Sequence, residues 1–231
     1  FNNNQYRIYA LGEWGVLTNE QPWLVSFERE RHTVEKLPLL PAFPVYLSFD
    51  FNIDPLTCVA AQMSLRQGAQ DSFIHFIREF SAKCSLEALC RQIKMAFPGH
   101  MLFVTGDASG NRHDLSMTDS NATYYSIIQS YLELTPGQMN LHRHNLPHGE
   151  SYMLINSILS SYPRLLFSRE GCPLLINDCT NARIDINSRV NGALRKDRDA
   201  FKMDLFDCMR YFFQQYFLSY SSKMPMGKMA A

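Results

Sequence analysis

Three apolar segments follow one another between residues 45 and 82 with only short breaks between them. They read VYLSFDF (45–51), PLTCVAAQMSL (55–65) and DSFIHFIREFSA (71–82). The third alternates apolar and polar residues, and all three have the length and composition of buried strands. Consecutive strands joined by short turns predict an antiparallel meander.

The rest of the chain predicts helices with shorter strands between them. The predicted helices are 85–97 with Ser85 as N-cap, 121–134 with Asn121 as N-cap, 152–162, 172–180 and 202–220. Short strands are predicted at 102–106 and 164–168, and a basic hairpin at 182–202. The last helix has an apolar stripe through Phe206, Met209, Phe213 and Phe217. The order βββαβαβααα predicts an α/β fold around one mixed sheet.

The composition limits the classes of protein to consider. The chain has 231 residues, of which 46% are hydrophobic and 19% charged, as in a globular protein. No apolar run reaches the roughly 18 residues of a membrane helix, and the start has no secretory signal. The six cysteines form no CxxC pair, which favours reduced thiols in an intracellular protein. The 22 basic and 22 acidic residues cancel, so contact with DNA would have to come from local patches.

Aspartates stand at the ends of two predicted strands. Asp50 closes the first strand, and Asp107 follows the short strand 102–106. Ligands of open α/β sheets bind beyond the carboxyl ends of the strands, so neighbouring strands would bring these two carboxylates together. Asp204 and Asp207 lie three residues apart on the last helix, and Asp207 is flanked by apolar residues. Each aspartate alone is also compatible with a turn or a helix cap.

Taken together, these carboxylates predict a metal site. No lysine adjoins them in the sequence, which disfavours a salt bridge and favours hard divalent cations with oxygen ligands. Two Mg²⁺ or Mn²⁺ ions roughly 3.5–4 Å apart activate water and stabilise the leaving oxygen in phosphodiester hydrolysis. Strand alternation places Asp50 on the face of Tyr46 and Ser48, opposite Phe49 and Phe51.

Four sequence segments resemble the C-terminal nuclease domain of the large terminase subunit of tailed bacteriophages, which has an RNase H-like fold. They are YALGEWG (9–15), SFDFNIDPLTCVAAQ (48–62), VTGDASG (104–110) and DLFDCMRYFF (204–213). They occur in the order of that family and span almost the whole chain. The resemblance implies an RNase H-like mixed sheet, an antiparallel meander plus parallel strands, flanked by helices. It also implies that Asp50, Asp107 and Asp207 are the catalytic metal ligands, with Asp204 as an auxiliary ligand.

The same resemblance implies a biological setting. It implies a connector from an upstream ATPase domain at 1–40, a nuclease domain at 41–222 and a C-terminal tail at 223–231. The implied reaction is cutting of concatemeric double-stranded viral DNA with two divalent cations, in the cytoplasm of an infected bacterium. The implied partners are the packaging ATPase domain of the same full-length chain, the portal and the small terminase subunit. No Walker A pattern occurs in the sequence, so the resemblance predicts a nuclease domain without the ATPase motor.

A basic segment offers candidate contacts to DNA. The predicted hairpin and its flank contain Arg183, Arg189, Arg195, Lys196, Arg198 and Lys202 against Asp185, Asp197 and Asp199. Contacts to phosphates supply most sequence-independent affinity, although a solvated hairpin of mixed charge would have the same composition. Lys196 or Lys202 could also sit near the scissile phosphate.

Three other features each have a structural and a functional interpretation. LHRHNLPH (141–148) has three histidines, but its polar surroundings favour an exposed loop over a zinc site. Arg210 could support a carboxylate or lie on the helix surface. Ser109 lacks a GxSxG elbow, which excludes a serine hydrolase.

Three functions are therefore considered. The first is a two-metal DNA endonuclease. The second is a docking module for the portal or DNA whose cutting is latent. The third is another RNase H-like enzyme, such as a resolvase or integrase, which would prefer branched DNA.

Overall fold

The computed structural model describes residues 21–52, 55–65, 72–111, 122–190, 192–196 and 202–221. Its strands are β1 (Thr33–Val34), β2 (Val45–Asp50), β3 (Leu56–Ser64), β4 (Phe73–Ala82), β5 (Leu102–Gly106) and β6 (Leu165–Ser168). Its α-helices are α1 (Arg29–His32), α2 (Leu86–Ala96), α3 (Tyr124–Leu132), α4 (His148–Ser161), α5 (Pro173–Asn181) and α6 (Asp204–Ser221). Short 3₁₀ helices lie at Ala108–Asn111 and Pro136–Gln138.

The six strands form one mixed sheet in the order β1-β6-β4-β3-β2-β5. β2, β3 and β4 are antiparallel neighbours, while β5 pairs in parallel with β2 and β6 pairs in parallel with β4 and β1. The predicted meander and the predicted neighbourhood of β2 and β5 are confirmed. The order written as βββαβαβααα is wrong at one point, because α4 comes before β6, as the predicted ranges 152–162 and 164–168 already give it.

Helices cover both faces of the sheet, and alternation along β2 separates the two cores. Leu47 and Phe49 pack with α2 and α3 in one core. The apolar stripe of α6 belongs to the other core with α4 and α5, and its four predicted members are all buried. A fully buried side chain of this size contributes about 1.5–3 kcal/mol, so α6 is held mainly by this stripe.

Local signals set the ends of two helices. Ser85 caps α2 as predicted, since its Oγ accepts a hydrogen bond from Ala88 N at 3.3 Å. The predicted cap of α3 at Asn121 is wrong, because Thr123 is the N-cap and accepts from Ser126 N at 3.1 Å. Asn121 itself lies outside the described residues.

Part of the segment predicted as a connector packs into the domain. Trp23 is completely buried, and its Nε1 donates to Gly192 O at 2.9 Å. β1 extends the sheet beside β6. The YALGEWG segment (9–15) and the tail (223–231) lie outside the described residues. In the part of the chain that the structure describes, no helix is long and apolar enough to cross a membrane.

Candidate metal centre

The parallel pair β2 and β5 places Asp50 and Asp107 at the same edge of the sheet. Phe49 lies opposite Gly106 in the register, and Asp107 N donates to Phe49 O at 2.9 Å. Gly106 has a φ of 150°, and a Cβ there would lie 2.3 Å from Phe49 O. A glycine is therefore needed for the two strand ends to approach so closely.

Helix α6 brings the other two aspartates to this edge. Ser48 Oγ donates to Cys208 O at 2.6 Å, which fastens the first turns of α6 to β2. Asn52 Nδ2 lies 2.7 Å from Asp50 Oδ2 and 2.8 Å from Asp204 Oδ1, so one amide group bridges both carboxylates. As predicted, Asp50 shares the face of Ser48.

Asp207 is bound by two cationic side chains. Its exposed fraction is 2%, and Arg210 Nη1 donates to its Oδ1 at 2.5 Å. Lys196 Nζ forms an ion pair with Oδ2. The expectation that these carboxylates form no salt bridge is therefore wrong, because the fold brings in Lys196 from a separate segment. Arg210 is buried and supports a carboxylate rather than lying on the helix surface.

Asp107 is held by its own turn and by a loop that we call the histidine loop (residues 140–147). Ser109 N donates to Oδ1 at 3.0 Å, and Ser109 Oγ hydrogen-bonds to Oδ2. Asn145 Nδ2 donates to Oδ1 at 2.6 Å, and His142 Nε2 lies 3.1 Å from Asn145 Oδ1. Residues 143–145 and 147 are exposed as predicted, and Asn145 of this loop also contacts the site.

The next helix begins with another histidine beside the site. His148 Nδ1 accepts from Leu194 N at 2.7 Å, and its Nε2 lies 3.4 Å from Arg210 Nη1. Burial and the positive charge of Arg210 lower the pKa of His148 to about 4. His148 is therefore a neutral residue that packs the segment 192–196 against the site.

The carboxylates differ in their electrostatics. Burial, followed by the negative charges of Asp207, Asp107 and Asp204, raises the pKa of Asp50 to about 8, an effect that Lys196 opposes. Burial also raises the pKa of Asp204. Burial acts to raise the pKa of Asp107 as well, but hydrogen bonds from Asn145 and Ser109 outweigh it and the pKa lies below its usual value. Burial and the neighbouring carboxylates therefore outweigh the positive charge of Lys196 at Asp50.

The donor set suits a divalent cation in charge and in chemistry. When all four carboxylates are ionised, the positive charges of Lys196 and Arg210 leave a net charge of minus two (four minus two). The ligand atoms are carboxylate oxygens, which Mg²⁺ and Mn²⁺ prefer. Among the described residues, no three Asp, Glu, His or Cys side chains form a ready metal-binding group in this arrangement. Oxygens of Asp50, Asp107 and Asp207 are instead bound by Asn52, Asn145, Lys196 and Arg210.

The basic residues predicted to contact DNA divide into three groups. Arg189, Arg195 and Lys202 are exposed, and Lys196 is 43% exposed while it contacts Asp207. The prediction that Arg183 contacts DNA is wrong, because Arg183 is buried and its Nη1 donates to Thr180 O and Ala182 O at 3.0 and 2.7 Å. A guanidinium bound to main-chain carbonyls inside the domain does not face a phosphate. Arg198 lies outside the described residues.

Sequence reasoning missed three residues that position the site. Asn52 and Asn145 hold carboxylates, as described above. Asp178 accepts a hydrogen bond from Phe206 N in the first turn of α6, and burial raises its pKa to about 7. The apolar neighbours of Asp178 in LLINDC (174–179) are the sequence feature that could have indicated its role, because a carboxylate withdrawn from water needs a hydrogen-bond partner.

Comparison with known proteins places this geometry in a structural context. No family model matches the chain, and no curated protein matches it. The large terminase of a thermophilic bacteriophage matches with a TM-score of 0.58 at 15% identity, over 92% of this chain and 49% of its own. The P22 large terminase nuclease domain matches with a TM-score of 0.56 at 11% identity, over 83% of this chain and 90% of its own. This chain has the fold of a large-terminase nuclease domain.

A third structure agrees with the first two. The large terminase nuclease from thermophilic phage G20c with bound magnesium matches with a TM-score of 0.51 at 7% identity, over 85% of this chain and 98% of its own. The predicted RNase H-like fold and the predicted likeness to terminase nuclease domains are confirmed as statements about the fold. The chain spans about half the length of the large terminase described first.

Proposed function

We propose that this chain is a metal-dependent endonuclease that hydrolyses phosphodiester bonds of double-stranded concatemeric viral DNA during genome packaging. The observation that supports it is the convergence of Asp50, Asp107, Asp204 and Asp207 at one edge of a sheet with the terminase nuclease fold. The bound magnesium of the G20c nuclease supports a divalent cation at such a site.

In this proposal Asp50, Asp107 and Asp207 would hold two Mg²⁺ or Mn²⁺ ions, with Asp204 as an additional ligand. Bound ions of this kind activate a water molecule and stabilise the leaving oxygen. The paired strands β2 and β5 fix the spacing of Asp50 and Asp107. Hydrogen bonds from Asn145 and Ser109 keep Asp107 ionised. Arg210 holds Oδ1 of Asp207 and Lys196 pairs with Oδ2, so a cation bound by Asp207 would have to displace Lys196.

The proposed setting follows from the same likeness. The large terminase of the thermophilic bacteriophage described first, about twice as long as this chain, was solved with ATP-γ-S and with ADP. We extend this to a packaging ATPase domain in the same full-length chain, with a connector at 1–40, a nuclease at 41–222 and a tail at 223–231. The portal and the small terminase subunit are the proposed partners, and the cytoplasm of the infected bacterium is the proposed location.

A docking module with latent nuclease activity is the second candidate. It is favoured by one observation, the occupation of both carboxylate oxygens of Asp207 by Arg210 and Lys196. In that case the domain would bind DNA or the portal, and other parts of the packaging complex would have to open the site.

Nicking of supercoiled plasmid in Mg²⁺, Mn²⁺ or EDTA tests the proposal. We expect cutting with either metal, none in EDTA, and a loss of about 100-fold or more in Asp50→Asn and Asp107→Asn. Glu35→Gln is the matched control, because Glu35 is 82% exposed and lies beyond β1. Undiminished cutting by the two aspartate variants would refute the metal site. Duplex binding by the wild type without cutting in any divalent metal would favour the docking module.

A further inference from the structure

The histidine loop is fastened at one end to the strand that precedes Asp107. Asn140 N donates to Val104 O on β5 at 2.8 Å. Asn145 then spans the turn after β5, donating to Asp107 and accepting from Ala108 N at 2.9 Å. The loop backbone is therefore held close to one carboxylate of the site.

The other end of the loop is fastened to the helix that contains Asp207. Leu146 N donates to Gln214 Oε1 at 2.8 Å, and Gln214 Nε2 donates to His144 O at 2.6 Å. Arg210 Nη2 donates to Leu146 O at 3.3 Å. The same loop thus bridges the strand side and the helix side of the carboxylate site.

Between these anchors the loop presents positive charge to solvent. Arg143 and His144 are exposed. Within the described ranges, no hydrogen bond or ion pair engages the Arg143 side chain. No Asp or Glu occurs from residue 139 to residue 149. The Arg143 side chain is therefore available to bind an anion that approaches the four carboxylates.

We propose that Arg143 and His144 bind backbone phosphates of the DNA strand that lies across the carboxylates. The inference rests on the proposed function and adds a substrate-positioning surface to the same site. Phosphates are repelled by the aspartates, and a guanidinium offsets this by bidentate hydrogen bonding. Because the loop backbone is already anchored, little conformational entropy is lost when it binds. The hydrogen-bonding N–H of the His144 ring offers a second contact.

Fluorescence anisotropy of a labelled DNA duplex, measured in EDTA over a range of salt concentrations, tests this. We expect Arg143→Gln to weaken binding about five- to tenfold at low salt and to reduce the slope of log K against log salt by about one. Arg143→Lys should recover part of the affinity, and His144→Gln should weaken binding less than Arg143→Gln. Arg91→Gln is the matched control, because Arg91 is an exposed arginine of α2, which packs in the core on the other side of the sheet from α6.

Three results would each overturn the inference: unchanged affinity and slope in Arg143→Gln, an equal loss in Arg91→Gln, or absence of duplex binding by the wild type. The proposed nuclease is judged separately, by plasmid cutting with the wild type. Cutting together with Arg143-independent binding refutes only the loop contact, whereas Arg143-dependent binding without cutting refutes only the nuclease.

Discussion

Arg210 and Asp207 form an ion pair one turn apart on α6, with Nη1 2.5 Å from Oδ1. Their side chains are only 4% and 2% exposed, so neither charge is solvated by bulk water. Arg210 also donates to Leu146 O and Ser151 Oγ, each at 3.3 Å. One buried guanidinium therefore orients a proposed metal ligand and joins it to the histidine loop and to α4.

Removal of Arg210 should destabilise the fold strongly. We expect Arg210→Met to lower the free energy of unfolding by about 3 kcal/mol, because the buried Asp207 then keeps only Lys196 as a cationic partner. Urea denaturation measures this, and adding Asp207→Asn to the variant should restore much of the loss. Arg31→Met is the control, since Arg31 pairs with Glu28 at the same spacing but is exposed, and should change stability by about 1 kcal/mol at most. A loss in Arg210→Met no larger than in the control would contradict this account.

Lys196 should compete with a divalent cation for Asp207. We expect Lys196→Met to tighten Mn²⁺ binding about tenfold, equivalent to about 1.4 kcal/mol, because its ammonium no longer occupies Oδ2. Isothermal titration calorimetry without DNA measures this directly. Lys36→Met is the control, because Lys36 pairs with Glu170 on the surface far along the sheet. Unchanged or weaker Mn²⁺ binding in Lys196→Met would show that the lysine does not compete.

Asp178 should hold the first turn of α6. Its carboxylate accepts from Phe206 N, so Asp178→Ala should lower the free energy of unfolding by about 1 kcal/mol. Hydrogen exchange at the Phe206 amide should also become faster. Asp178→Asn keeps an acceptor oxygen and should preserve most of the protection. Equal exchange rates in the wild type and Asp178→Ala would rule out this capping role.

His75 should make the domain sensitive to acid. It is 6% exposed, and neither ring nitrogen has a hydrogen-bond partner within the described part of the chain. Burial, with a smaller contribution from Arg164, lowers its pKa from 6.5 to about 4. The unfolded chain binds a proton below pH 6.5 that the folded protein does not take up until about pH 4, so stability falls as the pH drops through this window.

Comparison of the wild type with His75→Leu measures this dependence. The variant should lose roughly 3 kcal/mol less stability than the wild type between pH 6.5 and pH 4. Some dependence will remain, since burial and Arg210 lower the pKa of His148 over the same range. His144→Gln, at an exposed histidine, should follow the wild-type profile. Identical profiles for His75→Leu and the wild type would disprove the assignment.

The sequence by itself determined the features that depend on neighbours along the chain. Alternation along β2 put Asp50 on the face of Ser48 and Phe49 on the other, as the two cores show. The helical period of the last segment predicted the buried apolar stripe of α6, and Ser85 predicted the start of α2. These patterns are local because each follows from the repeat of one strand or one helix.

Only the tertiary structure decided which groups surround the aspartates. Asn52 lies 152 residues from Asp204 in the sequence, and Asn145 lies 38 residues from Asp107. The sequence was compatible with Lys196 in a solvated hairpin, whereas in the structure Lys196 pairs with Asp207. Arg183 in the same segment is buried. Residue spacing does not encode such contacts, because they arise from the packing of separate elements against one sheet. The sequence therefore determined which carboxylates stand at the sheet edge, whereas the packing of loops and helices determined what neutralises them.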